Sequence, residues 1–355
     1  MLRCWCVLGF LIGFALPATA QEPLQRIAFG SCAKQDKPQP IWDALVESKP
    51  QLFLFIGDNI YGDTEDMAVL KQKWDLLGAQ PGYQKLKQTC PVLATWDDHD
   101  YGANDAGAEY SKKHESQQLF QDFFDVPKDS PRRKQEGVYH AEVFGPPGKR
   151  VQIILLDARY FRGPLKTGFK PGEPGDGFRG KYAPNTDPSV TVLGDAQWKW
   201  LEQQLKTPAE VRVICSSYQL LPDEHGSEAW GNFPLERKRL LNLIRDTKAK
   251  GVVVISGDRH LAEIMRLAPA AAGIGYPIYE VTSSSLNAPS GNFTKAGIRF
   301  ANEVNSYRVG LTYFDTNFGA IDIDWSQLSP LLRLQVRDET GGVVLQQRVK
   351  LSELQ

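Results

Sequence analysis

The chain has 355 residues, 42% of them hydrophobic and 23% charged, an ordinary globular balance with ample length for a core. Its 41 Lys and Arg against 42 Asp and Glu leave a formal charge of -1, which excludes global steering toward nucleic acid or an anionic membrane. The basic cluster Arg132, Arg133 and Lys134 reads as a solvated loop, so no specific nucleic-acid binding is expected.

Residues 1–20 read as a secretory signal peptide: Arg3, an apolar run over 4–16, then "PATA" with cleavage after Ala20. The run is too short for a comfortable membrane span, and no later stretch approaches one. The mature chain, 21–355, is expected to be soluble and periplasmic or secreted. Five Cys fall to three on cleavage, and an odd count in an oxidising compartment leaves a thiol for another task. Cys32, closing the first strand in "FGSC", is that thiol. Cys90 and Cys215 sit beside apolar runs and are expected as buried hydrophobes rather than a disulfide.

Strands are predicted at 26–30, at 52–57 ("LFLFIG", apolar throughout and so buried on both faces) and at 91–96. A pair at 138–143 and 150–156 is joined by "GPPGK". Further strands follow at 211–216, 252–255 and 278–282, then an antiparallel series at 310–314, 320–323, 332–336 and 343–349. Helices are predicted at 40–47, 65–77, 115–124, 195–206 and 235–248. Residues 161–188, rich in Gly, Pro, Lys and Asp, form a long loop. The pattern is βαβ units followed by a β-rich tail. It suggests packed sheets covered by helices in one domain, with the tail as a separate small domain the alternative.

In open α/β sheets, sites form at the carboxyl ends of strands. Those ends carry Ser31-Cys32; "GDNIYGD" with Asp58, Asn59, Tyr61 and Asp63; "WDDHD" with Asp97, Asp98, His99 and Asp100; "DAR" with Asp157 and Arg159; and "SGDRH" with Asp258 and His260. One such Asp is ordinarily a turn cap. Five such ends in one cleft would repel and cost several kcal/mol each by order of magnitude, and metal cations relieve that. Carboxylates favour Mg2+, Ca2+ or Mn2+, whereas thiolate, phenolate and imidazole favour iron or zinc. A polynuclear site with one soft and one hard position satisfies both sets.

In this order the motifs resemble the PhoD-like alkaline phosphatase/phosphodiesterase family, a branch of the calcineurin-like metallophosphoesterases, from about residue 27 to about 264. The resemblance implies an α/β fold, a four-layer αββα sandwich of two mixed β-sheets flanked by helices. It also implies Fe3+ and Ca2+, with Zn2+, Mn2+ or Mg2+ open as substitutes. By the same resemblance Asp58 bridges the metals. Tyr61 and Cys32 bind iron, the latter where the superfamily has D-x-H. Asp98 replaces a metal-binding Asn, and Asp258 with His260 match G-H-x-H. His99 becomes a substrate contact and general acid. The superfamily's further metal His near 216–221 is missing from "SSYQLLP"; His225, a few residues on in a loop, is expected outside the ligand set, as are His114 and His140. Asn59 stands where close members often have Tyr.

The expected reaction is hydrolysis of phosphate mono- or diesters by metal-bound hydroxide. His99 protonates the leaving oxygen, and Arg159, paired with Asp157, forks onto the phosphate. Asn59 and Asn104 are further substrate-contact candidates. The loop 161–188 and the stretch 222–233, with Trp230, rim the cleft. Two alternatives remain: a phospholipid-directed phosphodiesterase peripheral at a membrane, and a metal-binding module without turnover.

Overall fold

Strands apolar on both faces have to be covered on both faces. The computed structural model, which describes residues 22–168, 180–291, 300 and 303–355, meets that demand with two six-stranded sheets. The signal segment 1–20 and the part of the long loop over 169–179 lie outside the described residues.

The strands in chain order are β1 (Arg26–Gly30), β2 (Leu52–Ile56), β3 (Val92–Thr95), β4 (His140–Phe144), β5 (Val151–Leu155), the two-residue pair β6 (Lys166–Thr167) and β7 (Tyr182–Ala183), β8 (Val211–Cys215), β9 (Val252–Ser256), β10 (Ala262–Leu267), β11 (Ile278–Ser283), β12 (Asn317–Asp324), β13 (Leu331–Asp338) and β14 (Val343–Lys350). The first sheet runs β14-β13-β12-β1-β2-β3 and the second β10-β11-β9-β8-β5-β4. β1, β2 and β3 are parallel, as are β5, β8, β9 and β11. The C-terminal β12, β13 and β14 form an antiparallel meander, and β12 pairs antiparallel with β1. The β-rich tail thus completes the first sheet.

Alternation along β2 divides the core. Leu52, Leu54 and Ile56 enter the cluster shared with Ile321, Leu332 and Leu334 and with the second sheet. Phe53 and Phe55 face the opposite way, onto Trp42, Trp74, Tyr83 and Phe120. These last four come from α1 (Ile41–Glu47), α2 (Met67–Gly78), α3 (Pro81–Thr89) and, after the single turn α4 (Asp98–Tyr101), α5 (Lys113–Phe123). Trp42 meets Phe53 edge-on, ring centroids 5.8 Å apart, a favoured aromatic geometry. The second sheet is covered by α6 (Gly194–Lys206) and α7 (Pro234–Asp246); α8 (Pro269–Ala272) is one turn. α6 buries Trp198, Leu201 and Leu205, the i, i+3, i+7 stripe of an amphipathic helix. The layers are those of the αββα sandwich.

Some expectations need correction. Residues 310–314 make one isolated bridge, Tyr313 with Ala262, rather than a strand. α3 and β10 were not foreseen. Arg133 is not solvated: it donates to the carbonyls of Gln121 and Val126 and pairs with Asp122 at 2.7 Å. Cys90 and Cys215 are buried free thiols, as expected, and so is Cys32. No helix among the described residues is long and apolar enough to cross a membrane.

Glu280 of β11 is fully buried and accepts the backbone N–H groups of Leu220 and Leu221 at 2.8 and 2.7 Å. Burial pushes its carboxyl up from 4.5 to about 7, against the pull of those hydrogen bonds and of Ser256. The folded protein therefore holds a proton that the unfolded chain releases. This contribution to stability is present below pH 4.5 and is lost as pH rises through about 7. Replacing Glu280 by Gln should remove roughly 3 kcal/mol of that pH dependence. Urea unfolding of both proteins across the window tests this; parallel stability curves would refute it.

Candidate metal centre

The carboxyl ends of the parallel strands of both sheets come together at one end of the sandwich, and the chain turns sharply there. Among the described residues nine non-glycine residues have positive φ; six are Cys32, Asp58, Asp63, Asp105, Asp258 and His260. The left-handed region costs such residues of order 1 kcal/mol or more, and strain of this kind collects at functional sites. Gly57 at the end of β2 has φ +104°, and a Cβ there would stand 2.6 Å from Asp97 Cβ. Only glycine lets the β2 and β3 ends approach so closely.

Four overlapping groups of donor atoms result, each within 4.8 Å: Cys32, Asp58 and His260; Asp58, Asp98 and His99; Asp97, Asp98 and Asp258; Asp98, Asp105 and Glu228. Asp58 and Asp98 are each shared. Cys32 Sγ donates to Asp58 Oδ2 at 3.3 Å, and Tyr61 Oη donates to the same oxygen at 3.4 Å. His260 Nε2 lies 3.1 Å from Tyr61 Oη. His260 Nδ1 is hydrogen-bonded to the Ala288 carbonyl, which assigns the proton to Nδ1 and leaves Nε2 as the ligand atom. His99 Nδ1 lies 2.7 Å from Asp63 Oδ1, and its ring sits 4.4 Å from that of Tyr61. The six residues expected as metal ligands are all brought together, with His99 beside them.

Arg159 behaves otherwise than expected. Its guanidinium has no exposure and does not face Asp157. It donates to Asp97 Oδ1 at 2.6 Å and to both oxygens of Glu228 at 2.8 and 2.7 Å. Asp157 is also fully buried, and accepts the backbone N–H groups of Val138, Arg159 and Tyr160: a turn cap, with no substrate in reach. Asn59 is inaccessible too, its amide donating to Asp100 Oδ2 at 2.6 Å and to the Thr95 carbonyl at 2.9 Å. Asp100 accepts from Asp97 N–H as well, so it ties β2 to β3 rather than joining the centre. Asn104 alone of the substrate-contact candidates is exposed on the cleft, which measures about 270 Å³ and is also lined by Lys181, Tyr182, Asp258, His260 and Phe300.

His225 is buried in a network with Gln219, Ser227 and Arg259, and burial drives its pKa well down. His114 pairs with Tyr160 Oη at 3.0 Å. Burial lowers the His140 pKa to about 3. None of the three belongs to the donor groups.

Asp97, Asp105 and Glu228 were not foreseen as partners. Asp97 is visible in "WDDHD". Asp105 follows Asn104, and Glu228 lies in the stretch 222–233, already read as a rim.

The electrostatics ask for cations. Asp58, Asp97, Asp98, Asp258 and Glu228 face three guanidiniums: that of Arg159, that of Arg162, whose Nε lies 3.4 Å from Glu228, and, beside Asp258, that of Arg259, which Glu303 already engages. Burial, reinforced by Cys32 and by Asp98, Asp97 and Asp100, drives the Asp58 carboxyl well up. Burial drives Asp258 well up too, with Asp97 and Asp98 adding to it, and lifts Cys32 to about 12. Asp98 is the exception: burial opposes its charge, but Arg159, His99 and the Asp105 N–H outweigh it and hold it at about 2. Asp58 Oδ1 and Asp97 Oδ2 are buried with no hydrogen-bond partner among the described residues. Orphaned carboxylate oxygens amid mutually repelling acids fit a set of bound cations. Thiol, phenol and imidazole beside Asp58 suit a transition metal; the all-carboxylate groups suit a hard one.

Removing the Arg159 charge leaves Asp97 and Glu228 buried and unpaired. Arg159→Met should therefore lower the unfolding free energy by roughly 3–5 kcal/mol, read by chemical denaturation. Unchanged stability with a raised KM would instead support a direct phosphate contact.

The profile of the PhoD-like phosphatase family matches residues 27–329. Alkaline phosphatase D of Bacillus subtilis (strain 168) is 24% identical over 287 residues, 69% of this chain and 47% of that protein. The chain thus spans about half the length of this curated relative. Among solved structures, that of PhoD superposes with a TM-score of 0.68 at 17% identity, covering 96% of this chain and 74% of that one. A dimetal phosphatase from Danio rerio gives a TM-score of 0.55 at 13% identity, covering 93% of this chain and all of that one. At such identities the two structures bear on the fold, which they share. The profile match takes in most of the chain, from β1 to beyond β12, and with it every residue of the centre: the chain belongs to the PhoD-like phosphatase family.

Proposed function

We propose that this protein is a metal-dependent phosphoester hydrolase acting on phosphate monoesters, diesters or both. The observation that carries the reading is the sharing of Asp58 and Asp98 between donor groups, in a cleft with orphaned carboxylate oxygens. A shared carboxylate is what a bridged pair of cations needs. When bound, such a pair supplies Lewis acidity at the phosphoryl group and an acidified water. Fe3+ is the proposed occupant beside Cys32, Tyr61 and His260, and Ca2+ beside the carboxylates of Asp97, Asp98 and Asp258.

The remaining work falls to the chain's own groups. Asp63 fixes the His99 ring through Nδ1, leaving Nε2 to give a proton to the departing oxygen. Burial opposes a charged His99, yet Asp63 and Asp98 raise its pKa, which keeps a proton available. Asn104 offers its amide to a phosphate oxygen. Arg159 acts at one remove, opposing the burial that pushes the Asp97 and Glu228 carboxyls up and holding both in place.

A phospholipid diester is the second reading, favoured by Phe300 on the cleft wall and by exposed Val304 and Leu311 in the segment that follows. An address in the periplasm or beyond the cell is part of the proposal and rests on the signal-like sequence of residues 1–20.

Protein loaded with iron and calcium, assayed at mildly alkaline pH, should hydrolyse an aryl phosphate or the matching bis-aryl diester. Asp58→Asn and Asp98→Asn should lose both bound metal and turnover. His99→Ala should lower kcat by about 100-fold or more with metal retained; full kcat would remove its role as acid. Absence of turnover on either ester, with metal verified, would sink the enzyme reading and favour a metal-binding module.

A further inference from the structure

A phosphate ester is an anion, and beyond the proposed metal ions the side chains that line the cleft have little positive charge left to offer one. Arg159 is spent on Asp97 and Glu228. Arg259, 3% exposed, is spent on Glu303 at 2.6 Å. Among the described residues that line the cleft, Lys181 presents an exposed ammonium, its side chain 52% accessible.

Lys181 is held by a built support. Gly180 N–H donates to the His225 carbonyl at 2.6 Å, and Tyr182 N–H to the Gly226 carbonyl at 2.9 Å. The two backbones run so close that a Cβ on Gly180 would lie 2.3 Å from Gly226 O, and Gly226 itself has φ +66°. Tyr182 Oη donates to Asp105 Oδ2, and Lys181 Nζ pairs with that same oxygen at 2.7 Å while lying 4.7 Å from the Tyr182 ring centroid. The Asp105 N–H in turn donates to Asp98 Oδ2 at 2.6 Å. The ammonium is thereby placed one residue, Asp105, away from Asp98.

We propose that Lys181 reads the charge of the substrate: it binds the third non-bridging oxygen that a phosphate monoester carries and a diester has esterified. This rests on the hydrolase reading above. A half-exposed lysine–carboxylate pair is worth about 1 kcal/mol or less, so the ammonium can leave Asp105 for a better anion at small cost. A dianion attracts it about twice as strongly as a monoanion at the same distance. Lys181 therefore favours monoesters over diesters without taking part in bond breaking.

The test is steady-state kinetics of the metal-loaded protein and its Lys181→Met, Lys181→Gln and Lys181→Arg variants on an aryl phosphate and the matching bis-aryl diester. Met and Gln are made side by side, so that a folding defect in one does not decide the result. Both should raise KM for the monoester by about tenfold with kcat within about threefold, and leave diester kcat/KM within about twofold. Lys181→Arg should recover most of the monoester KM. Equal losses on both substrates, or no change on either, would overturn the proposal while leaving the hydrolase reading intact. A wild-type protein that hydrolyses neither ester would overturn both.

Discussion

Mutual repulsion among buried carboxylates is the constraint to which the rest of this structure answers. Asp58, Asp97, Asp98 and Glu228 are almost wholly inaccessible, and Asp258 is partly buried at the cleft wall. Left alone, such acids take up protons or push the strand ends apart. The chain meets part of the cost with Arg159, placed between Asp97 and Glu228, and part with backbone donors, such as the Asp105 N–H on Asp98. What remains, on Asp58 above all and on Asp258 despite the neighbouring Arg259, is not balanced by the charges among the described residues. That residue of charge is the reason the centre demands cations, and why removing a single guanidinium threatens the fold and not only the chemistry.

The architecture explains how so costly a cluster can be assembled. Parallel strands deliver their carboxyl ends to one edge, and two sheets back to back deliver seven of them. Each end then needs a tight turn to aim a side chain inward. The positive φ values at Cys32, Asp58, Asp258 and His260 are the local cost of that aim. Supports stand behind the donors: Ser284 accepts the His260 N–H at 2.5 Å, and Ser217 donates to Asp97 at 2.7 Å. Ser217 stands at the end of β8, where the sequence lacks the expected histidine, and serves the centre through Asp97.

Much of this was legible in the chain because both signals are local. An unbroken apolar run such as "LFLFIG" announces a strand buried on both faces, and an acid straight after it announces a site. Cys32, Asp58, Tyr61, Asp98, Asp258 and His260 were found that way. The same rule cannot say toward which face a strand-end side chain turns. Asn59 and Asp157 satisfied it, yet Asn59 is taken up by Asp100 and the Thr95 carbonyl and Asp157 by backbone N–H groups. Nor does it see groups that arrive from loops: Asp105, Lys181 and Glu228 are set in place by contacts with distant segments, and no periodicity marks them. α3, "PGYQKLKQT", buries only Tyr83 and Leu86, too thin a stripe to stand out. Residues 310–314 look like a strand by composition but make only one bridge, at Tyr313, beside β10.

The pairing of β12 with β1 carries a consequence for the order of events in folding. Arg26 and Asp322, bonded across that seam, are 296 positions apart. Until residues 317–324 are in place, β1 has β2 on one side and an open edge on the other. The ring of Phe29, packed on Gly319 in the finished sheet, lacks that part of its cover until then. Contacts of such long range slow folding, and an unpaired apolar strand invites aggregation meanwhile. A chain cut before residue 317 would keep that edge open, and with it the hazard of pairing with another strand.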